Sequence, residues 1–275
     1  AAVFVEGIIF IVLSLTNVRE AIFDAIPLNL KKGVSVGIGI FIAFIGLQNA
    51  KLVIGNKSTL VSITNFTKDF HTAGICSLLA VIGLLITVIL YIKKVPGSIL
   101  IGILATWVIG MLCQITGIYV PDFKTGYYSL FPTFAMTDFS KLGETFGKCF
   151  QYDLGKVGIF NFIAVVLSFL FVDLFDTLGT LVGVSTKAGM LNEEGKLPGI
   201  KPALMADAVA TTAGAVLGTS TVTTFVESSS GVAAGGRTGL TAVVSGFLFL
   251  ISTLFAPLFT AIPSFATAPA LIMVG

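Results

Sequence analysis

The chain has 275 residues, 55% of them hydrophobic and only 11% charged, with 24 phenylalanines and a mean hydropathy of +1.02. Soluble domains carry about 25% charged residues, so the composition excludes a soluble globular fold and predicts an all-α multispan membrane protein. The net charge of +2 comes from basic residues at the ends of apolar runs, which offers nucleic acid no footing, and Cys76, Cys113 and Cys149 form no paired framework.

In chain order, Ala1 to Leu15 reads as the tail of a span ending at Asn17-Val18-Arg19-Glu20. With no initiating Met and an apolar run at its start, the chain is expected to be a fragment. A second span runs from Gly33 to Ile54, where Ser35, Gly39 and Ala43 recur every four residues and predict a face for close helix packing. The third covers Thr72 to Ile92, with His71 at its edge, and the fourth Gly97 to Ile118. Tyr119 to Lys156 is a long polar connection. Within it Phe139, Leu142, Phe146 and Phe150 fall near helical spacing and predict a short interfacial helix. The fifth span, Val157 to Val184, precedes a charged loop and a helix rich in small residues, Ala203 to Leu217, with Pro202 at its start. A last full span, Leu240 to Ile262, is interrupted by Pro257, and Pro263 begins another.

Basic residues suggest an orientation. Nine of them, Arg19, Lys31, Lys32, Lys93, Lys94, Lys187, Lys196, Lys201 and Arg237, fall on one side if the spans alternate, and the other seven fall opposite. The first side is expected to be cytoplasmic.

Between the apolar runs lies Gly218 to Gly239, GTSTVTTFVESSSGVAAGGRTG. Thr219 to Val226 alternates hydroxyl residues with β-branched and aromatic ones and favours extended backbone. Glu227 and Ser228–Ser230 are residues that open a helix rather than fill one. An extended piece feeding a half-helix at membrane depth needs a protein-buried or wet cavity, and secondary transporters build substrate sites in this way.

Asp173, Asp176, Thr177 and Thr180 share one stripe of the fifth span. An ionised acid at bilayer centre costs about 2.5–3.5 kcal/mol on insertion scales. No Lys or Arg inside a span is evident to offset Asp173, Asp176 and Glu227, so they are expected to be protonated, cation-bound or hydrated. Asp173 serves equally well as a structural hydrogen-bonding group. Glu6 and Asp207, near span ends, read as interfacial or helix-packing residues.

At FVDLFDTLGTLVGVSTKAGML and TTFVESSSGVAAGGRTGLTAV the chain resembles the nucleobase–cation symporter family, in particular its azaguanine-resistance-like branch of hypoxanthine, guanine and adenine permeases. IPLNLKKGVSVGIGIFIAFIGLQNA and PSFATAPALIMVG resemble that branch too. The resemblance implies the uracil-permease-like fold, a fourteen-segment inverted-repeat transporter divided into core and gate domains. Residues 1–22 would then be core (the end of segment four) and 23–118 gate (segments five to seven). Residues 119–156 would be an extracellular connection, 157–262 core again (segments eight to eleven), and 263–275 the start of gate segment twelve. Asp176, followed by Thr-Leu-Gly-Thr-Leu, matches the eighth-segment acid of the uracil branch, and Glu227 matches its tenth-segment Glu. Asp173 has no acidic counterpart there.

The expected function is import of purine nucleobases by proton symport, by a multi-pass protein of the plasma membrane with no cofactor beyond the coupling proton. A carboxylate accepts hydrogen bonds from purine N–H groups, so the substrate-binding candidates are Glu227, Asp176, Phe225, Thr224, Val226 and Ser228. A half-helix start favours an ionised carboxylate and a packed helix face a neutral one. Glu227 is therefore expected to bind purine and Asp176 to carry the proton, with Asp173 as an accessory. The partners are the nucleobase and the lipid bilayer, and a homodimer is admitted. Alternatives are a xanthine or uracil permease, an anion transporter, which the acids oppose, and a membrane-embedded hydrolase. The last is opposed because Ser228–Ser230 have no His or Lys partner nearby in sequence and no metal-ligand spacing appears.

Overall fold

A computed structural model describes residues 1–67, 69–151, 155, 158–192 and 196–275. The end of the polar connection at Lys156, the expected start of the fifth span at Val157, and Lys68 lie outside the described residues. The elements are α1 (Ala2–Leu15), α2 (Val18–Ala25), α3 (Leu28–Asn49), strands β1 (Val53–Asn56) and β2 (Leu60–Ile63), a π turn (Phe70–Gly74), α4 (Ile75–Ile92) and α5 (Ser98–Ile115). They continue with α6 (Leu142–Thr145), α7 (Ile159–Ala188), α8 (Ile200–Leu217), α9 (Ser228–Ala233), α10 (Gly239–Leu254), α11 (Ala256–Thr260) and α12 (Ser264–Val274). Among the described residues, five helical stretches are long and apolar enough to cross a membrane, and α1 with α2 makes a sixth if that pair, bent by 81°, counts as one.

The broken features have local causes. Asn17, at φ 60°, occupies the left-handed region that Asn tolerates, and the chain turns there between α1 and α2. Pro257, whose ring cannot continue the preceding ladder, stands just after the break at Phe255 between α10 and α11. The expected interfacial helix is instead three short turns, Phe139–Lys141, α6 and Lys148–Phe150, divided by Gly147 at φ 70°. The hairpin of β1 and β2, in register Val53 to Ile63, was not anticipated from an otherwise all-helical pattern. Its signal is the polar Asn56–Thr59 turn, where the Asn56 side chain accepts hydrogen bonds from the Ser58 and Thr59 amides.

The chain forms two compact units, Ala1–Ile38 with Asp138–Ala233, and Gly39–Thr137 with Ala234–Gly275. The second packs α4, α5 and α12 around Leu79, Trp107 and Phe265. Its helices close on reciprocal notches. A Cβ on Gly102 would come within 3.0 Å of Thr87 Cβ, and one on Gly83 within 3.1 Å of Pro269 Cγ. The Thr87 and Thr106 hydroxyls are satisfied on their own helices, donating to the Gly83 and Gly102 carbonyls at 2.7 Å each. Gly102→Ala should therefore force α4 and α5 apart and cost about 1–3 kcal/mol. Thermal unfolding of the full-length protein in detergent checks this: a lowered midpoint is expected, and an unchanged one would show that the notch has slack.

The first unit packs α1 and α2 with α7 and α8 and contains the core cluster of Phe23, Leu178, Val182, Leu197, Ile200 and Leu204. Val34 and Ser35 on the start of α3 lie against Gly179 and Gly183 of α7, so part of the small-residue face read from the sequence is used here. Two of the nine basic residues taken as orientation markers are buried in this unit, Arg19 and Lys31. Lys31 Nζ sits 4.1 Å from the Phe23 ring centroid.

Candidate functional site

The polar interior of the first unit grows from the break after α8. Gly218, at φ 92°, ends that helix in the left-handed cap that glycine permits without strain. The chain from Thr219 to Phe225 then has neither helix nor strand, and after a turn at Val226–Glu227 α9 begins at Ser228. Helices α8, α7 and α1 hold the non-helical stretch, and Asp207 of α8 also takes the Thr224 amide. The Thr219 amide donates to the Gly214 carbonyl at 2.9 Å, and the Thr211 hydroxyl to the Val222 carbonyl at 2.8 Å, so the stretch folds back along α8. The Thr223 hydroxyl donates to Asp176 at 3.3 Å, and the Thr221 hydroxyl to Glu6 at 3.1 Å.

The acidic stripe of α7 divides. Asp173, Thr177 and Thr180 are buried, whereas Asp176 is half-buried and meets the non-helical stretch. Helix α9 packs on α7, and Glu227 at its start is exposed and within electrostatic range of Asp176. Phe225 is 60% exposed and Ser228 is exposed, while Thr224 and Val226 are half-buried. The broken segment thus brings Asp176, Thr223 and Glu227 to one place, and leaves Asp173 in a different one.

Asp173 belongs to a buried charge network that corrects the expectation that no cation within a span offsets the acids. Arg19, 0% exposed, donates from Nη2 to Asp207 Oδ2 at 2.7 Å and from Nη1 to the Leu204 carbonyl at 2.9 Å. Its guanidinium carbon lies 3.9 Å from the Phe10 ring centroid, a cation–π contact. Asp173 stands 3.9 Å from the same Nη2 and accepts a hydrogen bond from Thr177 at 3.1 Å, and Thr177 also reaches Asp207 at 3.3 Å. Glu6 and Asp207, at 0% and 7% exposure, take the helix-packing role that the sequence left open beside an interfacial one. Arg19 reaches this interior because the bend at Asn17 turns α2 back toward α8. Periodicity carried no sign of that, although a lone Glu6 within AAVFVEGIIFIVLSL was a legible signal of an inward acid.

The architecture is that of a membrane protein in which the non-helical stretch between α8 and α9 is lined with acids. A family model described as a permease family, Xan_ur_permease, matches residues 1–275. The chain belongs to that family. Over the whole of its length the chain is 44% identical to the guanine/hypoxanthine permease PbuG of Bacillus subtilis and 45% identical to PbuO of the same organism, also a guanine/hypoxanthine permease. It is 38% identical to the adenine permease AdeQ of Escherichia coli. The chain covers 58%, 60% and 56% of those three proteins, so it spans a little over half the length of the curated relatives it matches. As a permease it is a multi-pass membrane protein and not an enzyme, and the hydrolase reading falls away.

Proposed function

We propose that the whole protein imports purine nucleobases across the plasma membrane, driven by proton symport. The observation that supports this reading best is the non-helical stretch tied to Asp176 and ending in an exposed carboxylate, Glu227, at the start of α9. The names of the matched relatives, guanine/hypoxanthine and adenine permeases, supply the substrate class.

The chemistry follows from the groups present. A purine offers ring N–H donors to a carboxylate, and Glu227 is free to accept them without leaving a packed position. The Thr224 carbonyl and the Val226 amide, outside any helix or strand, can meet the ring edge, while the Thr224 amide is held by Asp207, and the Ser228 hydroxyl adds another group. The exposed face of Phe225 suits stacking on a flat heteroaromatic base. Asp176, held by one hydroxyl, is the group we assign to carry the coupled proton. Asp173 beside Arg19 supports α7.

The test is uptake of labelled hypoxanthine, guanine, adenine, xanthine, uracil and sulfate by purine-transport-deficient cells expressing the full-length protein, with and without a protonophore. Uptake of hypoxanthine, guanine or adenine that collapses with the protonophore is expected. Uptake of uracil or sulfate in preference to those purines would overturn the reading.

A further inference from the structure

Glu6 is the group that the proposed mechanism leaves unused. It lies on α1 at 0% exposure, its Oε2 accepts the Thr221 hydroxyl at 3.1 Å, and its Oε1 is buried with no hydrogen-bonding partner. Next to it, a Cβ on Gly7 would approach the Thr212 amide nitrogen to 2.9 Å, so α1 and α8 are closely packed there.

Charge balance singles it out. Among the described residues, this interior holds three buried carboxylates, Glu6, Asp173 and Asp207, and one guanidinium. Arg19 on α2 spends its close contact on Asp207 of α8 and its next nearest on Asp173 of α7. Glu6 feels Arg19 and Asp207 only at longer range, and Lys148, on the short turn that also touches α1, bonds to Gln151 instead. An ionised carboxylate hydrogen-bonded through one oxygen alone in such a place is costly, and a proton on it removes the charge.

Glu6 is also mechanically connected to the site. Thr221, which it holds, is two residues before Thr223, which Asp176 holds. Residues two apart in a non-helical stretch can share one side, so two acids on two helices grip the same short piece of backbone through two threonines.

We infer that Glu6 is a second proton-exchanging group of the transporter, whose gain and loss of a proton loosens and tightens the hold on Thr221 and so links the broken segment to the proton gradient. It rests on the proposed purine–proton symport. The proton binds the Glu6 carboxylate from water on the higher-proton side and leaves to water on the other, with no bond to the purine formed or broken. Glu6 is a positioning residue that acts through Thr221.

The test uses the full-length protein in proteoliposomes with hypoxanthine. Glu6→Gln, which keeps the shape and fixes the neutral form, should hold hypoxanthine affinity within about threefold. It should also keep exchange at equal pH on both sides and lose accumulation driven by an imposed pH gradient, and Glu6→Asp should restore part of that accumulation. Thr221→Val leaves the carboxyl and cuts the tie, and should shift the pH profile of hypoxanthine binding. Accumulation by Glu6→Gln with the wild-type pH dependence, or, if that variant does not fold, a wild-type pH profile for Thr221→Val, would overturn the inference. Absence of hypoxanthine binding by the wild-type protein would instead overturn the proposed function.

Discussion

Replacing Arg19 by leucine is expected to remove most of the folded full-length protein. The substitution takes away the one guanidinium that Asp207 meets at 2.7 Å and Asp173 at 3.9 Å, and leaves both acids at 7% exposure or less. Breaking a buried pair from one side costs about 3–5 kcal/mol, because the remaining charge has lost its partner and cannot regain water. Against a total stability of about 5–15 kcal/mol, that is a large fraction. The loss should be curable from the other side. Arg19→Leu combined with Asp207→Leu and Asp173→Asn removes the guanidinium and both carboxylate charges, and replacing a buried ionic group by neutral ones is often close to neutral. Size-exclusion profiles and thermal unfolding in detergent read both variants. If Arg19→Leu alone unfolds at the wild-type temperature, the network does not hold α2 to α8.

The second large effect concerns the two acids at the broken segment. Glu227→Gln keeps the size of the side chain but converts an acceptor-only carboxylate into an amide that presents donors to the purine N–H groups. A hydrogen bond to a charged group contributes about 1.5–3 kcal/mol, so hypoxanthine binding should weaken at least about tenfold and, with more than one bond lost, fall below detection. Asp176→Asn imitates the neutral acid and can still accept from Thr223 through its amide oxygen. It should therefore retain binding and lose accumulation driven by a pH gradient. Calorimetry for binding and proteoliposome uptake for accumulation separate the two roles. Should Asp176→Asn concentrate hypoxanthine with the wild-type pH dependence, the carried proton resides elsewhere, and Glu6 is the next group to examine.

The effects differ in kind because the acids occupy different places. Asp173 and Asp207 are parts of the scaffold, gathered around Arg19. Glu227 is exposed in the turn just before α9, held by no part of the scaffold's ionic network. Asp176 and Glu6 stand between these extremes, each holding one threonine of the stretch that joins scaffold to site.

Much of this was legible in the chain itself. Apolar runs of span length fix the helices, because a lipid-facing backbone must satisfy its own hydrogen bonds. The change from β-branched residues to a serine cluster places the end of the non-helical stretch and the start of α9 near Glu227, because those residue types differ locally in backbone preference. Three matters were decided only in three dimensions. The division of Asp173 from Asp176 depends on how α7 is rotated against its neighbours, which a three-residue spacing leaves open. The hairpin of β1 and β2 depends on pairing across a turn within a predominantly helical pattern. Above all, the partners of Glu6 and Arg19 are 215 and 188 residues away in sequence, at Thr221 and Asp207. Helical periodicity describes each face against itself. Which acid meets the one guanidinium, and which is left with a hydroxyl alone, is set by the 81° bend between α1 and α2 and the close approach of α1 to α8, and those are properties of the packed chain.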